Sequence, residues 1–159
     1  MTARCRWCSF LLVLAFLSSQ EVDAQPRTDD ITPYRANYAL VEGDKRVGQS
    51  VFTLSYDAAS RRYTFESQSR FRGLLRLAAP RPVIERSEFV VTDDIVQPIA
   101  FDYEDGTRRG RRNITLSFDW SANAMTIAKR EGVGAATIDA ATLDRGSVRV
   151  ALMRDLARG

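Results

Sequence analysis

The ten residues RYTFESQSRF, at positions 62–71, decide the fold of this chain. Positions 63, 65, 67, 69 and 71 carry aromatic rings or serines, while the positions between them carry charged or polar side chains. A period of two puts each set on its own face of a β-strand. The stretch therefore predicts a strand with one buried face and one solvated face.

The same alternation recurs on both sides of this strand, in runs separated by turn residues at intervals of ~8–12 positions. Pro98 is typical of a sheet edge or a strand start. Together the runs predict about eight strands in an antiparallel meander that curls into a barrel-like sheet. The other runs lie at positions 34–40, 46–56, 83–91, 99–103, 112–120, 125–130 and 135–138.

Two segments break this period. The apolar stretch Gly73–Pro82 predicts a short helical turn that acts as a plug, as a lid, or as a shallow membrane contact beside Arg72 and Arg76. From about Asp144 the spacing predicts a C-terminal amphipathic helix, capped by Asp144 or Ser147. Its apolar positions are expected to cover the core or to form a docking surface, and they are Val148, Ala151, Leu152 and Leu156.

The N-terminus predicts export. Two arginines precede the short apolar run SFLLVLAFL at positions 9–17, and a polar segment then ends in Ala24. This order is typical of a secretory signal peptide cleaved before Gln25, and the apolar run is too short for a membrane span of ~20 residues. A lipoprotein signal would need a cysteine after the run, and an uncleaved anchor is the remaining alternative. The domains expected are a signal peptide at 1–24, a flexible leader at 25–33 and a single β domain at 34–159, with a periplasmic location.

The composition excludes several chemistries. The chain has no histidine, and its two cysteines, Cys5 and Cys8, both lie in the predicted signal peptide. The exported part therefore has no thiol nucleophile, no Ser-His-Asp arrangement and no His/Cys site for zinc or copper. We expect no cofactor and no metal. The formal net charge of +3 comes from interspersed acids and bases, which argues against a nucleic-acid partner.

Several stretches in this order resemble a bacterial exported family, domain of unknown function 3108. They include PYRANYALVEGDKRVGQ from Pro33, SRFRGLL from Ser69, ERSEF from Glu85, the FDW triplet from Phe118, and LDRGSVRVALMRDL with Asp144 and Ser147. The resemblance implies an exported, mostly antiparallel β protein and no assigned activity. Members of the family continue with further strands, so the resemblance implies a truncated sheet with an open edge that invites strand pairing.

Two groups of residues are candidate binding sites. The triplets FDY and FDW place pairs of aromatic rings on one strand face, which favours an apolar ligand site at Phe101, Tyr103, Phe118 and Trp120, or else ordinary core. The hairpin TRRGRRN favours an anion contact, or else a solvated turn. Its cations, called the four loop arginines below, are Arg108, Arg109, Arg111 and Arg112.

The function predicted from these features is a non-enzymatic envelope protein that binds an apolar or lipid-like ligand in a sheet concavity. The alternative is a structural or interaction module that pairs with an envelope protein partner through its open sheet edge. A carboxylate-based hydrolase that uses a pair such as Asp102 and Glu104 is less favoured, because such pairs on a wet strand face are usually solvated.

Overall fold

A computed structural model describes residues 31–158, so the predicted signal peptide and the leader up to residue 30 lie outside the described residues. Positions 31–33 are irregular and lead directly into the first strand. The described chain is a run of eight strands with one helix between the third and fourth strands and one after the eighth. The elements are β1 (Tyr34–Glu42), β2 (Lys45–Asp57), β3 (Arg62–Phe71), α1 (Leu75–Ala78), β4 (Val83–Thr92), β5 (Ile95–Glu104), β6 (Ile114–Asp119), β7 (Ala124–Lys129), β8 (Gly132–Thr137) and α2 (Arg145–Arg158).

The strands form one antiparallel sheet in chain order, from β1 at one edge to β8 at the other. This confirms the predicted meander and the C-terminal helix. The sheet is open: in the described part of the chain, β1 and β8 do not pair, so the predicted barrel-like curl does not reach closure.

One face of the sheet, called the inner face, carries the core. The strand registers place Leu54, Phe65, Ser87 and Phe101 side by side across β2, β3, β4 and β5. Phe65 is 1% exposed, which confirms the buried face predicted for residues 62–71. Helix α2 packs over β3, β4 and β5 on this face, and its Val150 joins the buried cluster.

A polar junction docks the start of α2 on the sheet. The Asp144 carboxylate accepts hydrogen bonds from the backbone N–H groups of Gly146 (2.7 Å) and Ser147 (3.0 Å), while the Ser147 hydroxyl accepts one from the Asp144 N–H (2.9 Å). The Ser87 hydroxyl donates to the other carboxylate oxygen at 2.8 Å. The predicted cap at Asp144 is confirmed, and the same side chain ties the helix to β4.

The close approach of helix and sheet requires a glycine at position 146. A Cβ atom there would lie 2.5 Å from the Cβ of Ser87 and 3.2 Å from Cδ1 of Phe65. Any larger residue would therefore push α2 away from the core.

The apolar positions predicted to cover the core lie mostly on the other side of α2. Val148, Leu152 and Leu156 are 38%, 56% and 82% exposed. The helix instead buries Arg154, whose guanidinium donates to the backbone oxygen (2.9 Å) and carboxylate (3.1 Å) of Asp94. Ala151, the fourth predicted position, does pack against the buried cluster, so the prediction is wrong for the three larger side chains. Polar tethers and a glycine, which carry no hydrophobic period, help to set the orientation of α2.

Pro98 lies inside β5 and not at a strand start or a sheet edge. The register places Pro98 opposite Phe89 and Ala100 opposite Glu88, so Ile99 is an extra residue in a β-bulge. Strand β6 pairs with β5 only from Ala100 onward. A proline is tolerated there because its missing N–H has no ladder partner to satisfy.

Candidate functional site

An antiparallel meander sends alternate connections to the same end of the sheet. One end therefore gathers four loops, at residues 43–44, 72–82, 105–113 and 130–131, and we call it the basic end. These loops hold only three acids: Asp44, Asp105 and Glu131. Their eight arginines are Arg72, Arg76, Arg81, Arg108, Arg109, Arg111, Arg112 and Arg130. The turns at the opposite end have the reverse balance, with Arg61 against Asp93, Asp94, Asp139 and Asp144.

Two of the loops at the basic end are joined through their backbones. The N–H of Arg81 donates to the carbonyl oxygen of Gly106 at 3.0 Å. Gly106 has a φ of +69°, and a Cβ atom there would lie 2.7 Å from the Arg81 oxygen. The loop that contains α1 and the arginine-rich β5–β6 loop are thus held side by side by a contact that only glycine permits.

Asp105 fixes the shape of the β5–β6 loop. Its carboxylate accepts hydrogen bonds from the N–H (2.9 Å) and hydroxyl (2.8 Å) of Thr107 and from the N–H of Arg112 (3.0 Å). Burial alone would raise the pKa of Asp105, but these bonds and the nearby Arg112 charge outweigh burial and lower that pKa. The side chain of Asn113 completes the loop by accepting from the Asp105 N–H at 3.0 Å.

A cleft of about 530 Å³ lies between these two loops. Leu77, Ala78 and Pro80 form an apolar wall, and the four loop arginines form the facing wall. Tyr103, the last inner-face residue of β5 before this end, also lines the cleft. The cleft therefore offers an apolar surface and a cationic surface to one ligand.

Two further clefts at the basic end are also cationic. One of about 450 Å³ lies on the other side of the β5–β6 loop and adds Lys129 and Arg130 to Arg108 and Arg109. One of about 300 Å³ lies beside α1 and is lined by Arg70, Arg72, Arg76 and Arg81. Positive charge thus surrounds both loops and is not confined to the hairpin tip.

Among residues 31–158, the side chains of the basic-end arginines form no ion pair within 4.0 Å of a carboxylate, although Arg112 lies near enough to Asp105 to lower its pKa. The ion pairs in that range involve Arg62, Arg86, Arg145, Arg149 and Arg154, none of which lies in the loops of this end. The four loop arginines are exposed, and so are Leu74 (84%) and Leu77 (80%) on the neighbouring loop. Cations and large apolar side chains are therefore presented to the solvent together.

The four residues of the predicted aromatic site do not line one common cleft in the structure. Phe101 is 4% exposed within the core, and Phe118 stacks on Trp120 with ring centroids 6.3 Å apart. The indole N–H of Trp120 donates to the Pro98 carbonyl oxygen at 2.7 Å. Of the predicted aromatic residues only Tyr103 lines one of the three clefts at the basic end.

The predicted anion site stays together. All four loop arginines line one cleft, where they meet Tyr103 from the aromatic group. The apolar wall of Leu77, Ala78 and Pro80 was not predicted as part of this site. The signal that could have found it is the topology, because the β3–β4 and β5–β6 connections of a meander must share one end of the sheet.

Within residues 31–158, no cluster of three or more acidic side chains is arranged to hold a metal ion. In the same range, neither helix combines the length and the apolar character needed to cross a bilayer. None of the family models, curated proteins or solved structures compared with this chain matches it. The resemblance to domain of unknown function 3108 therefore stays a prediction.

Proposed function

We propose that this protein is an exported, non-enzymatic binding protein for anionic lipids, with the basic end as its binding site. The observation that carries the proposal is the 530 Å³ cleft, which sets four exposed arginines opposite an apolar wall. A ligand that fits both walls has an anionic headgroup and an apolar body.

The chemistry of the two walls supports a phospholipid. The guanidinium group presents a planar fork of N–H donors that matches the oxygens of a phosphate. Near an anionic membrane surface each arginine contributes ~1 kcal/mol to binding. Leu74 and Leu77 are exposed on the adjoining loop, where they can enter the boundary between headgroups and acyl chains.

The hydrogen bonds and the lowered pKa of Asp105 favour a binding function over a catalytic one. Asp105 is the acid shared by two of the clefts, and its carboxylate accepts three hydrogen bonds from its own loop. Its lowered pKa keeps it ionised near neutral pH, which suits a structural anion better than a general acid. The absence of histidine from the whole chain points the same way. The predicted signal peptide supports a periplasmic location.

The direct test is binding to lipid vesicles by flotation. Wild-type protein is expected to float with vesicles of phosphatidylglycerol and phosphatidylcholine, and to stay behind with phosphatidylcholine alone. Arg108→Gln/Arg111→Gln should bind the anionic vesicles about 30-fold more weakly, from ~1 kcal/mol for each arginine. The matched control is Arg62→Gln/Arg86→Gln. It removes the same charge from the outer face of β3 and β4, away from the loops of the basic end, and should change binding by less than about threefold.

Two further arms identify the source of the anion. If the ligand is a lipid, soluble glycerol 3-phosphate will compete only weakly, and Leu74→Ser/Leu77→Ser will weaken vesicle binding. If glycerol 3-phosphate competes fully and the leucine variant binds normally, the site takes a free phosphate and the lipid assignment is wrong. Equal binding to both vesicle types would refute the role of the arginines. All variants carry the same N-terminus, so a difference between two variants on one vesicle type reports the substituted residues.

A further inference from the structure

The two edges of the sheet differ in how they are protected against pairing with another strand. Strand β1 carries Arg35 and Glu42, has a register irregularity at Leu40, and is in contact with α2 through Tyr34, whose hydroxyl lies 3.7 Å from the Met153 sulfur. Charged side chains, irregular registers and covering elements are the usual devices that blunt an edge. Strand β1 therefore has several of them.

Strand β8 has none of these devices. Its sequence GVGAAT, at Gly132–Thr137, contains no charge and no proline, and its six residues pair with β7 without a register shift. The strand is exposed along most of its length, and Val133 is 75% exposed. Its outer row of backbone N–H and C=O groups has no strand partner in the described sheet. The strand predicted from residue 135 begins three residues earlier, because Gly132 and Gly134 continue the ladder.

We propose that β8 pairs with β8 of a second copy of this chain across a two-fold axis, which joins two sheets into one of sixteen strands. A two-fold axis perpendicular to a sheet makes the new strand pair antiparallel and self-complementary. Facing residues in such a pair lie on the same sheet face, so one residue of β8 must face itself.

The two registers that keep most of β8 paired centre on Gly134 or on Ala135, and the charges that flank the strand favour one of them. If Ala135 faces itself, Glu131 of one copy faces Asp139 of the other, which opposes two like charges at both ends of the pair. If Gly134 faces itself, Thr137 faces Glu131, and Asp139 continues past it beside the cationic corner formed by Lys129 and Arg130. The second register is therefore the one we propose.

Side-chain size agrees with this register. Because Gly134 is paired with the inner-face residue Ile127, Gly132 and Ala136 share the inner face, and Val133 and Ala135 share the outer face. Pairing through Gly134 sets Val133 against Ala135 of the second copy, twice, on the outer face. The inner face meets only through glycine and alanine, so no side chain obstructs the approach.

The antiparallel arrangement also brings opposite ends of the two copies together. The basic end of each copy lies beside the end of the other copy that holds Asp93, Asp94 and Asp139. A single strand pair of this length belongs to the small, weak class of interfaces that bury less than ~1,200 Å². We therefore expect reversible dimers that depend on protein concentration.

The first test is sedimentation velocity of the full chain from about 1 µM to about 1 mM, a range that covers the affinities of small interfaces. A monomer–dimer equilibrium is expected. Val133→Lys/Ala135→Lys places four lysines around the axis and should lower the association constant by more than about tenfold. The control Asn37→Lys/Ala39→Lys puts the same charges on the β1 edge and should leave association unchanged. A chain that stays monomeric throughout, or one inhibited equally by both variants, overturns the proposal.

The second test fixes the register with disulfides in a Cys5→Ser/Cys8→Ser background. Facing residues of an antiparallel pair have Cα atoms ~4.5–5.5 Å apart, within the span of a disulfide. Oxidised Gly134→Cys should therefore form covalent dimers. Ala135→Cys faces Val133 of the second copy and should remain monomeric under the same conditions. Equal cross-linking at both positions indicates random collision, and cross-linking at position 135 alone contradicts the proposed register.

Discussion

The arginines of α2 and the arginines of the basic end are in opposite electrostatic situations. Arg145 and Arg149 both reach the Glu85 carboxylate at 2.7 Å, and Arg154 reaches the Asp94 carboxylate at 3.1 Å. At the basic end, none of the loop arginines within residues 31–158 forms an ion pair. The comparison separates arginines that hold the fold from arginines that remain free to meet a ligand.

The difference extends to packing. Arg149 lies over the rings of Phe52 and Phe65, at 5.8 and 5.7 Å from their centroids, and Glu85 is 6% exposed on the inner face. The four loop arginines are exposed, and their loop is held by Asp105, which accepts from the backbone N–H groups of Thr107 and Arg112. Changes at the first site should therefore lower stability, and changes at the second should lower binding.

The largest effect on stability is expected for Gly146→Ala. The new Cβ would lie 2.5 Å from Ser87, so α2 must shift from the sheet. The free energy of unfolding should fall by about 2–3 kcal/mol, even though alanine favours a helix. Urea unfolding followed by circular dichroism measures this. Gly134→Ala is the control at a protein concentration of about 1 µM, low enough to keep a small interface dissociated, since a Cβ there meets nothing within 4 Å in the same chain. Equal losses for both variants would mean that the helix junction has no special weight.

A smaller loss is expected for Glu85→Gln. The change leaves Arg145 and Arg149 without their shared carboxylate, and they are 62% and 36% exposed at their side chains. Because water still reaches both groups, we expect a loss of about 1.5 kcal/mol and not the larger cost of breaking a fully buried pair. Chemical unfolding gives the value. Binding of the folded protein to anionic vesicles should not change, and a parallel loss of binding would join the two regions that we separate.

The next prediction concerns affinity for anionic vesicles, and its sign is the opposite of the one expected from net charge alone. Asp105→Asn makes the basic end more positive, yet it removes a carboxylate oxygen that accepts from the Arg112 N–H. We expect about tenfold weaker binding to anionic vesicles, equivalent to ~1.4 kcal/mol. Asp44→Asn makes the same charge change at the same end, at an exposed turn residue, and should bind slightly more tightly. Tighter binding by both variants would mean that loop order is irrelevant.

The same carboxylate gives the loop a pH dependence with a definite sign. The folded state lowers the pKa of Asp105, so its stabilising contribution is present above the ordinary carboxyl pKa of ~3.9. That contribution is lost as the pH falls through the lowered value. The protection of the amides of residues 105–113 against hydrogen exchange, taken relative to their intrinsic rates at each pH, should therefore fall at acid pH in the wild type. This acid-induced step should be absent from Asp105→Asn.

Features that depend on local sequence patterns were predicted better than features that depend on contacts between distant residues. The alternation of residues 62–71 and its neighbours predicted the meander, and the acid at Asp144 predicted the cap of α2. Whether the sheet closes depends on twist and strand stagger, which no period-two pattern encodes. On α2, Ala151 packs against the core as predicted, but Val148, Leu152 and Leu156 do not. The pattern missed Gly146, Ser147 and Arg154, which also dock the helix and are not hydrophobic.

The candidate site likewise has one part that local sequence predicts and one part that it does not. The four loop arginines are adjacent in sequence, so a local pattern identified them as one group. Their apolar counterpart at Leu77 and Pro80 is distant in sequence and meets them through the backbone contact between Arg81 and Gly106. Phe101 and Trp120 looked like ligand contacts because an aromatic strand face has the same sequence pattern in a core and in a cavity.

The most direct test of this division is the affinity for phosphatidylglycerol vesicles of two double variants that remove equal charge, measured well below their unfolding temperatures. Arg108→Gln/Arg111→Gln should lose about 30-fold in affinity, from ~1 kcal/mol for each arginine. Arg149→Gln/Arg154→Gln, at two α2 arginines that contact Glu85 and Asp94 and no cleft residue, should bind as the wild type does, while its unfolding temperature falls. Equal losses of affinity in the two variants, or wild-type affinity in the first, would contradict the assignment of the basic end as the binding site.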